Sequence, residues 1–295
     1  MLIIGNLKYA VHAYSWTSQW SNKTLDLIDH AKKLGFDVIE IPLMEIDLVD
    51  PEKIKERAEQ AKIGLCTSTV ISKKTDITAE DHVTRKSGIE YLKACVKASA
   101  KMGAVSFSGV IYSAIGRKID GIPNENYWKR SAEALKEVAR FANQHGLVIG
   151  IEPVNRYETF LINTCDQALK LIKMINEANV RIHLDAYHMN IEENNFYDPT
   201  KKAAPLLCHY HLSESHRGTP GTGTVNWDDI FRALAETNYR GMVGLESFIE
   251  VSDAMREATC VWRHVAPSSD ILLIEGLKYL KSLEKKYYSS PSNYS

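Results

Sequence analysis

Residues 147–153 read LVIGIEP, an apolar, β-branched run that stops at Glu152 and Pro153. Three later stretches repeat that form. VRIHLD (180–185) ends at Asp185, CHYHL (208–212) carries His211 next to its end, and MVGLES (242–247) turns polar at Glu246. Short apolar runs of this kind read as buried strands. Each ends in a group that binds a hard cation. Delivered by successive strands, the four suggest one site at the strand C-termini of a barrel, the face on which (β/α)8 barrels build active sites.

The rest of the chain supports the barrel. Strands are expected near Lys8–Tyr14, Asp37–Ile41, Gly64–Val70, Ala104–Val110, Leu147–Glu152, Val180–Asp185, Leu207–Leu212 and Met242–Glu246. Helical patterns fall near Ser21–Leu34, Pro51–Ala61, Arg85–Met102, Asn124–Gln144, Asp166–Ala178 and Trp227–Glu236. A weaker helix is expected near Asp198–Ala204, and a final one near Asp270–Lys286 closes the ring. Gly35, Gly64, Gly103, Gly146 and Gly241 precede strands, where a residue tolerating positive φ ends a helix. Regular alternation implies a parallel sheet, and eight units favour an α/β, single-domain (β/α)8 TIM barrel. The barrel is expected to span residues 1–286, followed by a polar tail over 287–295.

Side-chain parity agrees with a central site. Residues alternate faces along a strand. Turning Glu152 inward brings Gly150 with it, Asp185 brings His183, His211 brings His209, and Glu246 brings Gly244. Two of these four companions are glycine, which leaves space at the centre. Ile151, Leu184 and Leu245 then face the helices.

Composition narrows the setting. The 295 residues carry a net charge of −1, from 36 Lys and Arg against 37 Asp and Glu. That balance gives no general attraction to nucleic acid or to an anionic membrane. No apolar run approaches transmembrane length. Five scattered cysteines without a CxxC pair argue against a disulfide framework and fit a cytoplasmic protein without a signal peptide.

Any one of Glu152, Asp185, His211 and Glu246 would alone read as a helix cap, an ion pair or a core group. Together they suit one divalent cation, with Mn²⁺ most consistent and Co²⁺ or Mg²⁺ as alternatives. The segments IEPVNRYE (151–158), HLDAYHMNIEE (183–193), HYHLSESHRG (209–218) and GLESF (244–248) then resemble the ketose 3-epimerase family. That family includes the D-tagatose, D-psicose (D-allulose) and L-ribulose 3-epimerases. The resemblance implies a xylose isomerase-like barrel that epimerises free ketoses at C3 through a cis-enediolate. It implies that Glu152 and Glu246 are both metal ligands and the catalytic acid/base pair on opposite faces of the substrate. It also implies substrate-binding roles for Glu158, His188 and Arg217, and assembly as a homo-dimer or homo-tetramer.

His12 and Trp16, in HAYSW (12–16), could form an aromatic wall for the sugar, and Cys66 could line the pocket at the end of the third strand. GTPGTGT (218–224) lacks the lysine of a P-loop, which favours a free sugar over a sugar phosphate. Competing readings are an aldose–ketose isomerase on the same scaffold, a zinc-dependent DNA repair endonuclease, and a non-catalytic sugar-binding barrel.

Overall fold

The computed structural model describes residues 7–289. Its strands are β1 (Lys8–His12), β2 (Val38–Pro42), β3 (Gly64–Val70), β4 (Ser106–Val110), β5 (Val148–Ile151), β6 (Val180–Asp185), β7 (Leu207–His211) and β8 (Met242–Leu245). They pair in parallel, in sequence order, and β1 closes on β8. The eight-stranded barrel expected from the alternation is therefore present as a single domain.

The helices are α1 (Asp26–Lys33), α2 (Pro51–Ala61), α3 (His82–Met102), α4 (Glu125–Gln144), α5 (Cys165–Ile175), α6 (Ala186–Glu192), α7 (Tyr197–Ala203), α8 (Trp227–Glu236), α9 (Asp253–Thr259) and α10 (Ser269–Tyr288). Local chemistry sets many of their ends. Asp50 caps α2 by accepting from the Lys53 amide, with Pro51 in the first turn, where its missing N–H costs little. Thr164 and Gln167 form a reciprocal capping box on α5.

Several boundaries differ from expectation. The segment from Ser21 begins as a short 3₁₀ turn over Asn22–Thr24, and α1 follows it. The first strand stops at His12, because the His12 ring caps a 3₁₀ turn over Ala13–Ser15. Helices α6 and α9 were not anticipated. Each is only 7 residues long, too short for a clear period. Gly35, Gly103 and Gly146 take positive φ as expected, but Lys62 and Asn238 do so in place of Gly64 and Gly241.

The last helix runs two residues past its expected end at Lys286. Tyr287 and Tyr288 complete α10, where Tyr287 donates to Asp228 and Tyr288 donates to the Tyr239 carbonyl. Residues 290–295 and 1–6, at the two ends of the expected layout, lie outside the described residues. No helix among the described residues is long and apolar enough to cross a membrane.

Two apolar regions hold the barrel. The larger fills the shell between strands and helices and includes Tyr210 together with Ile151, Leu184 and Leu245, the outward residues of the parity argument. A small cluster of Ala10, Val38, Cys66 and Met242 fills part of the interior. Polar groups take over above it.

Candidate active site

The strand ends deliver the expected four residues to one place. Asp185 and His211 are the last residues of β6 and β7, paired in register, while Glu152 and Glu246 follow β5 and β8 directly. Donor atoms of Glu152, Asp185 and His211 lie within 4.8 Å of one another, all on buried residues. Glu246 joins them at the same imidazole nitrogen. His211 Nδ1 stands 3.8 Å from Glu152 Oε1 and 3.5 Å from Glu246 Oε2. The companions follow parity, with His183 and His209 fully buried beneath these groups.

The donor set fits a divalent cation. His211 Nδ1 is buried with no hydrogen-bond partner, and it points among carboxylates. An orphaned nitrogen in such a position is costly unless something else satisfies it. Glu152, Asp185, His211 and Glu246 are the residues that would hold the ion.

The four groups differ in their affinity for protons. Burial pushes Glu152 well above the usual carboxylate range; His211 opposes this, and the charges of Glu246, Asp185 and Glu40 reinforce it. Burial acts on Glu246 in the same sense, but there the charges of His211 and Arg217 outweigh it and hold the group well below that range. Burial favours a neutral His211, yet Glu40 and Glu246 hold its proton well above the ordinary histidine value.

Arg217 and His188 complete the floor. One guanidinium nitrogen of Arg217 donates to Asp185 Oδ2 and to Glu246 Oε2, each at 2.8 Å. Its plane lies 3.9 Å from the Tyr187 ring centroid, a cation–π contact that immobilises it further. The backbone of Arg217 is left-handed at φ 61°, which is uncommon without glycine. The turn is held by the Arg217 amide donating to Glu214, and by Ser247 Oγ donating to the Arg217 carbonyl. Glu214 anchors the following loop, accepting from the amides of Ser215, Gly221 and Val225 and from the Trp227 indole.

His188 Nδ1 accepts from the Asn155 amide at 3.1 Å, so its hydrogen sits on Nε2, 3.6 Å from Asp185 and 3.4 Å from Arg217. Asn155 also donates to Glu158, whose carboxylate reaches the cavity edge.

A cavity of about 660 Å³ opens above this floor. Glu152, Glu158, His188, His211, Arg217 and Glu246 line its polar end, and His12 joins them. Met44, Val70, Ile115, Phe248 and Met255 supply an apolar wall, with Tyr14 beside Phe248 at a ring-centroid distance of 6.4 Å.

Two expected pocket residues lie elsewhere. The Trp16 indole donates to Asp270 at 2.8 Å and packs edge-on against His30, beside a separate surface groove. The 3₁₀ turn after His12 redirects the chain, and Tyr14 becomes the aromatic wall. Cys66 faces inward but belongs to the interior apolar cluster below the cavity. Two residues further along β3, Ser68 reaches the cavity and bonds His12 Nε2 at 3.2 Å.

One further buried group belongs to the site. Glu40 on β2 is 1% exposed and bonds both His209 and His211. A lone carboxylate inside VIEIP (38–42), flanked by Ile39 and Ile41, carries the signal, because outward isoleucines force it inward.

Comparison with known proteins agrees with this architecture. The family model for the xylose isomerase-like TIM barrel matches residues 28–272. The chain is 35% identical to a ketose 3-epimerase of Arthrobacter globiformis over 267 residues, covering 88% of this chain and 90% of that protein. It is 34% identical to an L-ribulose 3-epimerase of a Methylomonas species over 278 residues, covering 93% and 97%. The crystal structure of a D-allulose 3-epimerase from Methylomonas sp. in complex with D-allulose superposes with a TM-score of 0.89 at 34% identity, covering 94% and 97% of the two chains.

Proposed function

The chain belongs to the xylose isomerase-like TIM barrel family and within it to the ketose 3-epimerases, isomerase-class enzymes acting on sugars, and on that premise we propose that it inverts C3 of a free ketose with Glu152 and Glu246 as its acid/base pair. One observation carries the reading. The two carboxylates, from the ends of β5 and β8, approach the same buried His211 nitrogen and both line the polar end of the cavity. Two carboxylates bordering one cavity end can serve as an acid and a base toward the same substrate carbon.

The chemistry needs such a pair. A C–H beside a carbonyl is a weak acid, and its proton must leave one face of C3 and return to the other. Glu246 removes the proton from one epimer, and Glu152 delivers one to the opposite face of the planar enediolate. For the other epimer the roles exchange, so the C3 configuration decides which glutamate acts first. Glu152, Asp185, His211 and Glu246 would hold a divalent cation, which when bound would supply positive charge that favours the enediolate. Mn²⁺ suits three carboxylates and one imidazole, with Co²⁺ or Mg²⁺ as alternatives.

The remaining residues orient the sugar. Arg217 and the Nε2–H of His188 are fixed donors for oxygens near C1 and C2. Glu158 reaches the same end from the cavity edge. The apolar wall of Tyr14, Phe248 and Met255 faces the distal carbons.

The test is turnover of D-fructose, D-psicose, D-tagatose and L-ribulose in D₂O with added Mn²⁺, followed by NMR. Deuterium entering C3 with inversion is expected. Label confined to C1 would identify an aldose–ketose isomerase and overturn this reading. Ketose binding without any exchange would identify a sugar-binding scaffold.

A further inference from the structure

Glu40 has no part in the proton transfers above, yet it is among the most buried charged side chains at the barrel centre. Its Oε2 accepts from His209 Nε2 at 2.9 Å and from His211 Nε2 at 2.8 Å. The contact crosses the barrel. Glu40 leaves β2 and both histidines leave β7, with β1 and β8 between them along the shorter way round. Small residues on those strands clear the path. Ala10 and Gly244 are register partners, and a Cβ on Gly244 would come within 2.8 Å of His209 Cε1 and 3.3 Å of the Ala10 Cβ.

The hydrogen bonding has a direct consequence. An ionised carboxylate only accepts, so the His211 nitrogen facing Glu40 carries hydrogen. The nitrogen left to offer a lone pair to a cation is Nδ1, the buried atom without a partner. His209 donates to the same oxygen and keeps the carboxylate from swinging away. A negative charge behind the ring also strengthens the imidazole as a ligand.

We propose that Glu40 is a positioning residue. It locks the ring orientation and tautomer of His211, so that Nδ1 and not Nε2 meets the divalent cation. The proposal rests on reading Glu152, Asp185, His211 and Glu246 as the cation site.

The experiment is calorimetric titration of Co²⁺ into metal-free wild type, Glu40→Gln and Glu40→Leu, with visible spectra of the Co²⁺ forms and unfolding midpoints in chelator. Losing a partner of this kind typically weakens metal binding by about 10- to 100-fold. Glu40→Leu is expected toward the upper end and Glu40→Gln, which keeps an acceptor of the same size, toward the lower end, both with altered Co²⁺ spectra. Glu40→Gln preserves the volume, so its result stands even if the leucine variant does not fold. Affinity of Glu40→Gln within about twofold of wild type, with any loss confined to the unfolding midpoint, overturns the proposal. If the wild type binds no Co²⁺, the cation-site reading itself fails, a result distinct from equal binding by wild type and variant.

Discussion

Glu152 and Glu246 approach one nitrogen of His211, at 3.8 Å and 3.5 Å, and their environments drive their proton affinities in opposite directions. Sequence treats the two alike, since both are glutamates following short apolar strands. At Glu246 the charges of His211 and Arg217 outweigh burial, while at Glu152 burial and the charges of Glu246, Asp185 and Glu40 outweigh His211.

Glu152→Gln and Glu246→Gln should each remove C3 exchange, because each takes away an acid/base as well as a ligand charge. General acid–base catalysis alone contributes on the order of 100- to 10,000-fold, and losing the ligand adds to that. Deuterium incorporation at C3 measures it. Near-normal exchange in either variant would contradict the two-glutamate mechanism.

Divalent cation affinity should rise with pH. His211 holds its proton well above the ordinary histidine value, and Glu152 well above the carboxylate range. Both protons must leave before those atoms can bind a cation. Binding is therefore weakened at pH below the raised values and strengthens as pH climbs through them. Calorimetry of Mn²⁺ binding in buffers of different ionisation enthalpy reads the released protons; pH-independent binding would disprove the competition. Chelation should abolish turnover, and added Mn²⁺ should restore it.

Trp16→Phe and Cys66→Ala should leave KM for the preferred ketose unchanged. The Trp16 indole bonds Asp270 outside the cavity, and Cys66 packs beneath it. Phe248→Ala should instead raise KM, because it removes part of the cavity wall. Steady-state kinetics on purified variants separates the two outcomes. A large KM effect from Trp16→Phe would place the sugar elsewhere.

Glu214→Ala should destabilise the fold and loosen the loop after Arg217. It deprives three backbone amides and the Trp227 indole of their acceptor. Each buried donor left unsatisfied costs about 1–3 kcal/mol, less where water can enter. Burial raises the Glu214 carboxyl, but those hydrogen bonds outweigh it and hold the group below its ordinary value. Its stabilisation is therefore fully present above the unfolded-state value and fades as pH falls through the folded one. Urea unfolding at neutral and acidic pH should show the gap between wild type and variant shrinking in acid. A gap that widens in acid would reject this account.

The amino-acid sequence by itself determined the barrel, because strand and helix periods alternate and persist across nearly the whole chain. It also placed carboxylates and an imidazole at the ends of β5 to β8, since the apolar companions on each strand turn those groups inward. Local signals could not decide the course of the chain after His12. The turn capped by that ring sends Trp16 outward and Tyr14 to the cavity. Nor could they pair Glu40 with His211, 171 positions apart, or assign opposite proton affinities to Glu152 and Glu246. Those properties depend on burial and on charges brought together across the barrel, and only the closed tertiary structure supplies them.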